Sequence, residues 1–233
     1  MIRFLTAFLT ALLCCTAAEA APPARVEIHY DTYFGFIKVG ETRDVMEHDD
    51  RSYHLVSESK TVGLAAFFHQ LVIRHEAHGR ITPRGLEPVS FTETDNGKFK
   101  HGGQFDWDAH QALLKDDHGS DTVPLHDNSW DLSSFSYTFA FDPPTSGDMD
   151  VYVANGRRMS HYRYAVAGRE KIDTGLGTLD TLHVKKILEG DDKRAFDMWL
   201  AVDRHYLPVR IRFTSKKGSV FDSVVSAIAT AGH

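Results

Sequence analysis

The chain has 233 residues, 42% of them hydrophobic, 25% charged and 11% aromatic, which is ordinary globular composition rather than that of a disordered, collagenous or coiled-coil protein. With 26 Lys and Arg against 32 Asp and Glu the net charge is −6. No basic excess exists to neutralise a phosphate backbone, so nucleic acid is not an expected partner.

Residues 1–20 read as a secretory signal peptide. Arg3 gives the positive start, Phe4 to Leu13 is an apolar run broken only by Thr6 and Thr10, and Ala18-Glu19-Ala20 is an A-x-A cleavage site. The run falls short of the ~20 apolar residues that a membrane-spanning helix needs. Cys14 and Cys15 stand where a lipid-anchor cysteine would, but Leu13 and Cys14 precede them instead of a small residue. These are the only two cysteines, so residues 21–233 read as one cysteine-free domain in the periplasm or secreted, not membrane-spanning after cleavage. Cysteine-thiolate, Cys–zinc and iron–sulfur chemistry are thereby excluded from it.

Beyond the signal the apolar period is two. Val26, Ile28 and Tyr30 alternate with polar residues, as do Tyr53 and Leu55, and then Leu71, Ile73, His75 and Ala77. Such alternation marks half-buried strands. Gly63 to Phe68 fits a short helical turn, and Asn96-Gly97 and Asn155-Gly156 read as type I′ hairpins. Trp130 to about Phe141 reads as a helix capped by Asn128 or Ser129 and stopped by Asp142-Pro143-Pro144, with a strand as the alternative. Four strand patterns follow, around Leu182–Leu188, Phe196–Val202, Val209–Phe213 and Val220–Ile228. About a dozen short strands without a linker or repeat imply a mainly antiparallel β fold. The expected architecture is a single large curled sheet, closed or half-open as a barrel around one short helix, with a two-sheet sandwich as the alternative.

Several short motifs recur in a specific order. Phe105-Asp106-Trp107 is followed by Trp130-Asp131-Leu132-Ser133-Ser134, then Ile172-Asp173-Thr174-Gly175-Leu176-Gly177, then Tyr206-Leu207-Pro208-Val209. Together they resemble the bacterial family called domain of unknown function 3108, over about Val26 to Ile228. The resemblance implies an exported β-rich domain and carries no catalytic residues across. In physical terms Gly175 and Gly177 suit a positive φ or a close backbone approach. Asp173 and Asp180 suit acceptance of turn N–H groups, and Pro208 suits a strand start or bulge.

Chemical motifs are sparse. There is no nucleophile elbow, phosphate loop or dinucleotide fingerprint. His75-Glu76-Ala77-His78 is the tightest of the histidine clusters, yet residues three apart on a strand face opposite ways. His75 and His78 are therefore the only metal candidates and are expected as solvated strand histidines, with no metal and no cofactor. His101, His110, His118 and His126 read as exposed loop residues. The pairs Asp49-Asp50, Asp116-Asp117 and Asp191-Asp192 read as solvated turns rather than acid/base pairs. No catalytic residue is assigned. The candidate ligand-binding residues are Asp106, Trp107, Asp131, Phe135 and Phe139. The aromatics at Tyr30–Phe36, Phe67-Phe68 and Phe135–Phe141 fit a filled core, or else an apolar cavity. The resulting expectation is a non-enzymatic binding or envelope-associated protein, with a lipid or other hydrophobic small molecule, or an envelope protein, as partner. A hydrolase of envelope polymers or esters and a structural or assembly role are the alternatives.

Overall fold

The computed structural model describes residues 22–231, so the signal reading of residues 1–20 lies outside the described residues. The alternating segments form strands β1 (Arg25–Phe34), β2 (Ile37–His48), β3 (Ser52–Thr61), β4 (Val72–Thr82), β5 (Gly85–Asp95), β6 (Lys98–Asp106), β7 (Gln111–Asp116) and β8 (Gly119–Pro124). They continue with β9 (Ser129–Asp131), β10 (Asp148–Asn155), β11 (Arg158–Thr174), β12 (Gly177–Lys186), β13 (Ala195–Ala201), β14 (Leu207–Thr214) and β15 (Val220–Ala231). Helix α1 (Gly63–Phe68) links β3 to β4, and α2 (Leu132–Thr138) links β9 to β10.

All fifteen strands belong to one sheet, in the order β8-β7-β6-β5-β4-β3-β2-β1-β15-β14-β13-β12-β11-β10-β9. Two meanders are thus joined where β1 pairs antiparallel with β15, from Arg25 opposite Ala231 to Phe34 opposite Phe221. The β9–β10 pairing is parallel because α2 carries the chain back to the same end before β10 begins. The sheet does not close: β8 and β9 are its edges. A half-open barrel therefore replaces the closed alternative, one sheet replaces the sandwich, and two short helices stand where one was expected.

A sheet this long curls to hide one face. Its inner face carries Val26, Ile28, Tyr30, Met46, Leu55 and Ala77, all buried. The expected helix exists but starts later, at Leu132, with Asp131 as its cap. Ser129–Asp131 pairs with β10 first, which removes Asn128 and Ser129 from the capping position. Phe135, Tyr137 and Phe139 are buried, with Phe135 and Phe139 packed among Val151, Tyr164, Val184, Met198 and Leu200. Across the open edge, Arg157 of the β10–β11 turn reaches Asp116 at 3.3 Å and Asp121 at 3.5 Å on the β7–β8 hairpin. Exposed pairs of this kind contribute about 0–1 kcal/mol. Helix α2 fills the space between the two halves of the sheet, with Tyr137 in the core of one and Phe135 and Phe139 in that of the other.

Turn chemistry matches local need. Asn96 and Gly97 both have positive φ, 49° and 76°, as a type I′ hairpin requires. The second hairpin differs: Asn155 pairs with Arg158, so the loop is Gly156-Arg157 and only Gly156 has positive φ. Gly177 has φ 94°, whereas at Gly175 a Cβ would lie 2.8 Å from Ser226 Cα. Pro208 sits at the start of β14, opposite a register shift in β13. Asp173 accepts from the Thr178 hydroxyl at 2.6 Å, and it is Thr174 that accepts the turn N–H of Leu176.

Gly79 sits at the β4–β5 register shift, where a Cβ would lie 2.3 Å from the Glu87 carbonyl oxygen and 2.4 Å from a Tyr53 ring carbon. Gly79→Ala is expected to cost about 1–3 kcal/mol of stability, the range for overpacking. Urea unfolding measures it. A wild-type midpoint would mean that the bulge yields freely.

Candidate functional site

The buried helix plug gathers several of the sequence-predicted site residues. Asp131, wholly buried, accepts from the N–H groups of Ser133 and Ser134 at 3.1 Å each, and the Ser134 hydroxyl donates to its other oxygen. His75 Nε2 on β4 stands 2.9 Å from Asp131 Oδ1, and its Nδ1 stands 3.7 Å from Glu93. The Tyr53 hydroxyl lies 2.7 Å from Ser134 Oγ. Tyr137 donates to Asp44 at 2.8 Å, and Thr138 Oγ1 accepts the N–H of Leu86 at 2.9 Å. One short helix with its cap is thus bonded to β2, β3, β4 and β5 in succession.

The electrostatics follow from this geometry. Burial pulls the His75 imidazole down, but Asp131 and Glu93 more than offset it and raise its pKa to about 9. Burial pushes the Asp131 carboxyl up, yet His75 and the Ser134 groups hold it below the usual carboxylate range. Burial raises the Asp44 carboxyl against the opposing hydroxyls of Ser57 and Tyr137. The expectation of a solvated His75 is therefore corrected: it is buried, stacked on Phe91 at 5.6 Å, because its alternation partner Ala77 faces the same interior. In the order His75–Asp131–Ser134 the carboxylate lies between imidazole and hydroxyl. The imidazole is not placed to take the hydroxyl proton, so the trio lacks the relay of an acyl-transfer site. Its geometry is that of a helix cap with a buried counterion.

The other candidates lie apart. Asp106 is exposed and accepts the N–H of Ala109 at 2.9 Å, a turn role. Trp107 is half-buried, stacked on Phe105, and donates to the Pro88 carbonyl at 2.7 Å. Asp106 and Asp131 therefore share no site. Phe135 and Phe139 border a half-open pocket of about 330 Å³ with Trp130, Met149 and Val151. His101 is corrected as well: it is a strand residue with its side chain 16% exposed, facing Glu93 at 3.6 Å. Of the carboxylate pairs, Asp49 caps its own turn, while Asp192 bonds both Lys186 and Arg194 and is not a bare loop tip. His78 projects from the outer face of β4, opposite to His75, beside His54 and Glu76.

The aromatic clusters divide. Tyr30 and the Phe135–Phe139 group fill the core, but Phe36, Phe67 and Phe68 are 104%, 84% and 82% exposed. Topology places these three at one end of the sheet. The β1–β2 turn, α1 and the β14–β15 turn all lie at one end of the sheet, since β1 and β15 run antiparallel with Phe34 opposite Phe221. The N–H of Val62 bonds the Val39 carbonyl at 3.0 Å and fixes α1 beside the β1–β2 turn. Phe34 and Phe221 rings lie 5.4 Å apart, and Phe67 and Phe68 5.5 Å apart. Ile37, at 57%, and Leu64, at 70%, extend the patch. Exposed Lys216 and Lys217 sit on the neighbouring turn and, among the described residues, lie in no ion pair. Sequence reading gave these aromatics to a filled core or an apolar cavity, because only three-dimensional pairing shows which hairpins share an end.

The family described as protein of unknown function (DUF3108) matches residues 29–224. No curated protein matches the chain. Among solved structures it is similar to a β-barrel-like protein of domain of unknown function DUF1849 from Brucella abortus, with a TM-score of 0.55 at 9% identity, covering 91% of this chain and 100% of that one. It is also similar to an exported protein with a YmcC-like fold from Bacteroides fragilis, at a TM-score of 0.34 and 11% identity, over 90% and 97% of the two chains. The first likeness shows the β-barrel-like fold and nothing of its chemistry.

Proposed function

The chain belongs to the DUF3108 family, and on that premise we propose that it is an exported, non-enzymatic envelope protein that docks the apolar end of its half-barrel onto a lipid bilayer surface. The observation that carries this reading is the joint exposure of Phe36, Ile37, Leu64, Phe67 and Phe68 on two adjoining connections. Contiguous apolar surface on an otherwise charged protein marks an interaction site. Helix α1 buries no residue, so its Leu64-Ala65-Ala66-Phe67-Phe68 run contributes little to the core. Lys216 and Lys217, on the β14–β15 turn at the same end of the sheet, favour an anionic lipid surface, at about 1 kcal/mol per basic residue. The chain's overall charge of −6 makes that local cationic turn distinctive. No helix among the described residues is long and apolar enough to cross a membrane, so the contact proposed is with the surface. The interior supports docking over carriage of a whole lipid, since α2 with its buried Phe135, Tyr137 and Phe139 occupies it.

Each buried Phe is worth about 1.5–3 kcal/mol of transfer free energy. Removing Phe67 and Phe68 together should therefore weaken partitioning by roughly 100-fold or more. Co-sedimentation with phosphatidylglycerol–phosphatidylethanolamine vesicles tests it. Wild type should pellet with the vesicles, and the Phe67→Ser/Phe68→Ser variant should stay in the supernatant with an unchanged thermal midpoint. A wild type that remains soluble, or that instead dimerises through this end, overturns the lipid reading.

A further inference from the structure

A second surface, on the outer face of β3 and β4, carries a different chemistry. In the antiparallel pairing His54 stands directly opposite His78 and Val56 opposite Glu76. Leu55 and Ala77 are buried on the inner face, so alternation sends His54, Glu76 and His78 outward together. His54 Nε2 lies 2.9 Å and His78 Nε2 3.5 Å from the same oxygen, Glu76 Oε1. The two imidazoles stack at 4.2 Å with 4° between their planes. All three potential ligand atoms lie within 4.8 Å of one another.

We propose that His54, Glu76 and His78 form a binding site for a divalent cation of the zinc type. Two imidazoles and one carboxylate are a donor set that suits Zn²⁺ and leaves a fourth position for water or a further ligand. With metal–ligand bonds of about 2.0–2.2 Å in a tetrahedron, ligand atoms sit roughly 3.3 Å apart. The observed 2.9 and 3.5 Å bracket that spacing, and binding requires the two stacked rings to turn out of their parallel planes so that both in-plane nitrogen lone pairs meet at the ion. Arg74 holds the other oxygen of Glu76 at 3.1 Å, which orients the carboxylate and leaves Oε1 for the ion. His54 and His78 also border a groove shared with Glu47, His48 and Asp49. The sheet register supplies the rigidity, since direct cross-strand pairs are fixed on both sides by β2 and β5. The site lies on different strands and a different face from the apolar end and does not depend on it.

The test is titration calorimetry of the full chain with ZnCl₂ at pH 7.5. It is repeated with His54→Ala, His78→Ala and Glu76→Gln, and with His29→Ala as a control on another exposed histidine. One saturable site is expected, weakened tenfold or more by each of the first three changes and unaffected by His29→Ala. The thermal midpoint should rise with Zn²⁺ in wild type and not in His54→Ala. The chain has 14 histidines. Binding that survives unchanged in both His54→Ala and His78→Ala therefore places the ion elsewhere and overturns the proposal, as does the lack of saturable binding.

Discussion

Phe135→Ala should lower the unfolding free energy by about 3–5 kcal/mol, and Phe139→Ala by a comparable amount, the range for truncating a buried aromatic. Phe135 is the centre of the plug: its ring lies 4.8 Å from Tyr164, 5.5 Å from Phe139 and 5.8 Å from Trp130. Those partners come from β11, from the end of α2 and from β9, so one truncation opens a cavity among three segments. The helix backbone cannot follow the missing ring inward. Ser134 is bonded to Tyr53, Tyr137 to Asp44 and Thr138 to Leu86, which pins α2 against the opposite half of the sheet. A cavity that the structure cannot collapse sits at the costly end of the range. No disulfide in residues 21–233 offsets the loss, since both cysteines precede them. Replacing His118, an exposed turn residue, with Ala should change stability by less than about 0.5 kcal/mol. Guanidinium unfolding of the three variants makes the comparison. If both phenylalanine variants unfold like wild type, α2 is a mobile lid and not a plug.

The strands were legible because alternation is local. Leu182, Val184, Met198 and Leu200 could be assigned to strand faces from spacing alone, and the fold bears this out. Short hairpins then made chain neighbours into sheet neighbours. Open versus closed was not legible, since closure depends on whether β8 reaches β9, two edges joined in sequence yet separated by the whole sheet. The helix was visible through its aromatics, but its polar side was not. Ser134, Tyr137 and Thr138 look solvent-facing in a helical projection, and only the wrapping of β2–β5 around α2 buries them. The same non-locality hid His54, whose partners Glu76 and His78 are more than twenty residues away and meet it through register. It also split the aromatics, for nothing local separates core residue Tyr30 from Phe36, whose ring stands in solvent.

Asp131→Ala is the second large effect expected, at about 3–5 kcal/mol, because it takes from a buried imidazole the nearer of its two carboxylates and removes the α2 cap. Asp131→Asn separates the two contributions. Its side-chain oxygen still accepts from Ser133 and Ser134, so the capping part, about 0.5–2 kcal/mol, should largely survive. The charge on His75 loses its nearer partner in both variants and keeps Glu93 at 3.7 Å. The dependence on pH has a definite sign. His75 titrates near 6.5 in the unfolded chain and at about 9 when folded. Its contribution, on the order of 3 kcal/mol, is fully present below about 6.5 and is lost as pH rises through about 9. Asp131 is held below its unfolded value, so its contribution is present above about 4 and is lost as pH falls through the lower folded value. Wild type should therefore lose stability between about pH 6.5 and 9. Asp131→Asn, with the His75 pKa brought back down, should be less stable at pH 6 yet nearly flat over that alkaline range. Unfolding at pH 6, 7.5 and 9 reads the slope, and NMR titration of the His75 ring protons reads the pKa directly. An alkaline slope in Asp131→Asn equal to that of wild type would show that Glu93, and not Asp131, sets the charge on His75.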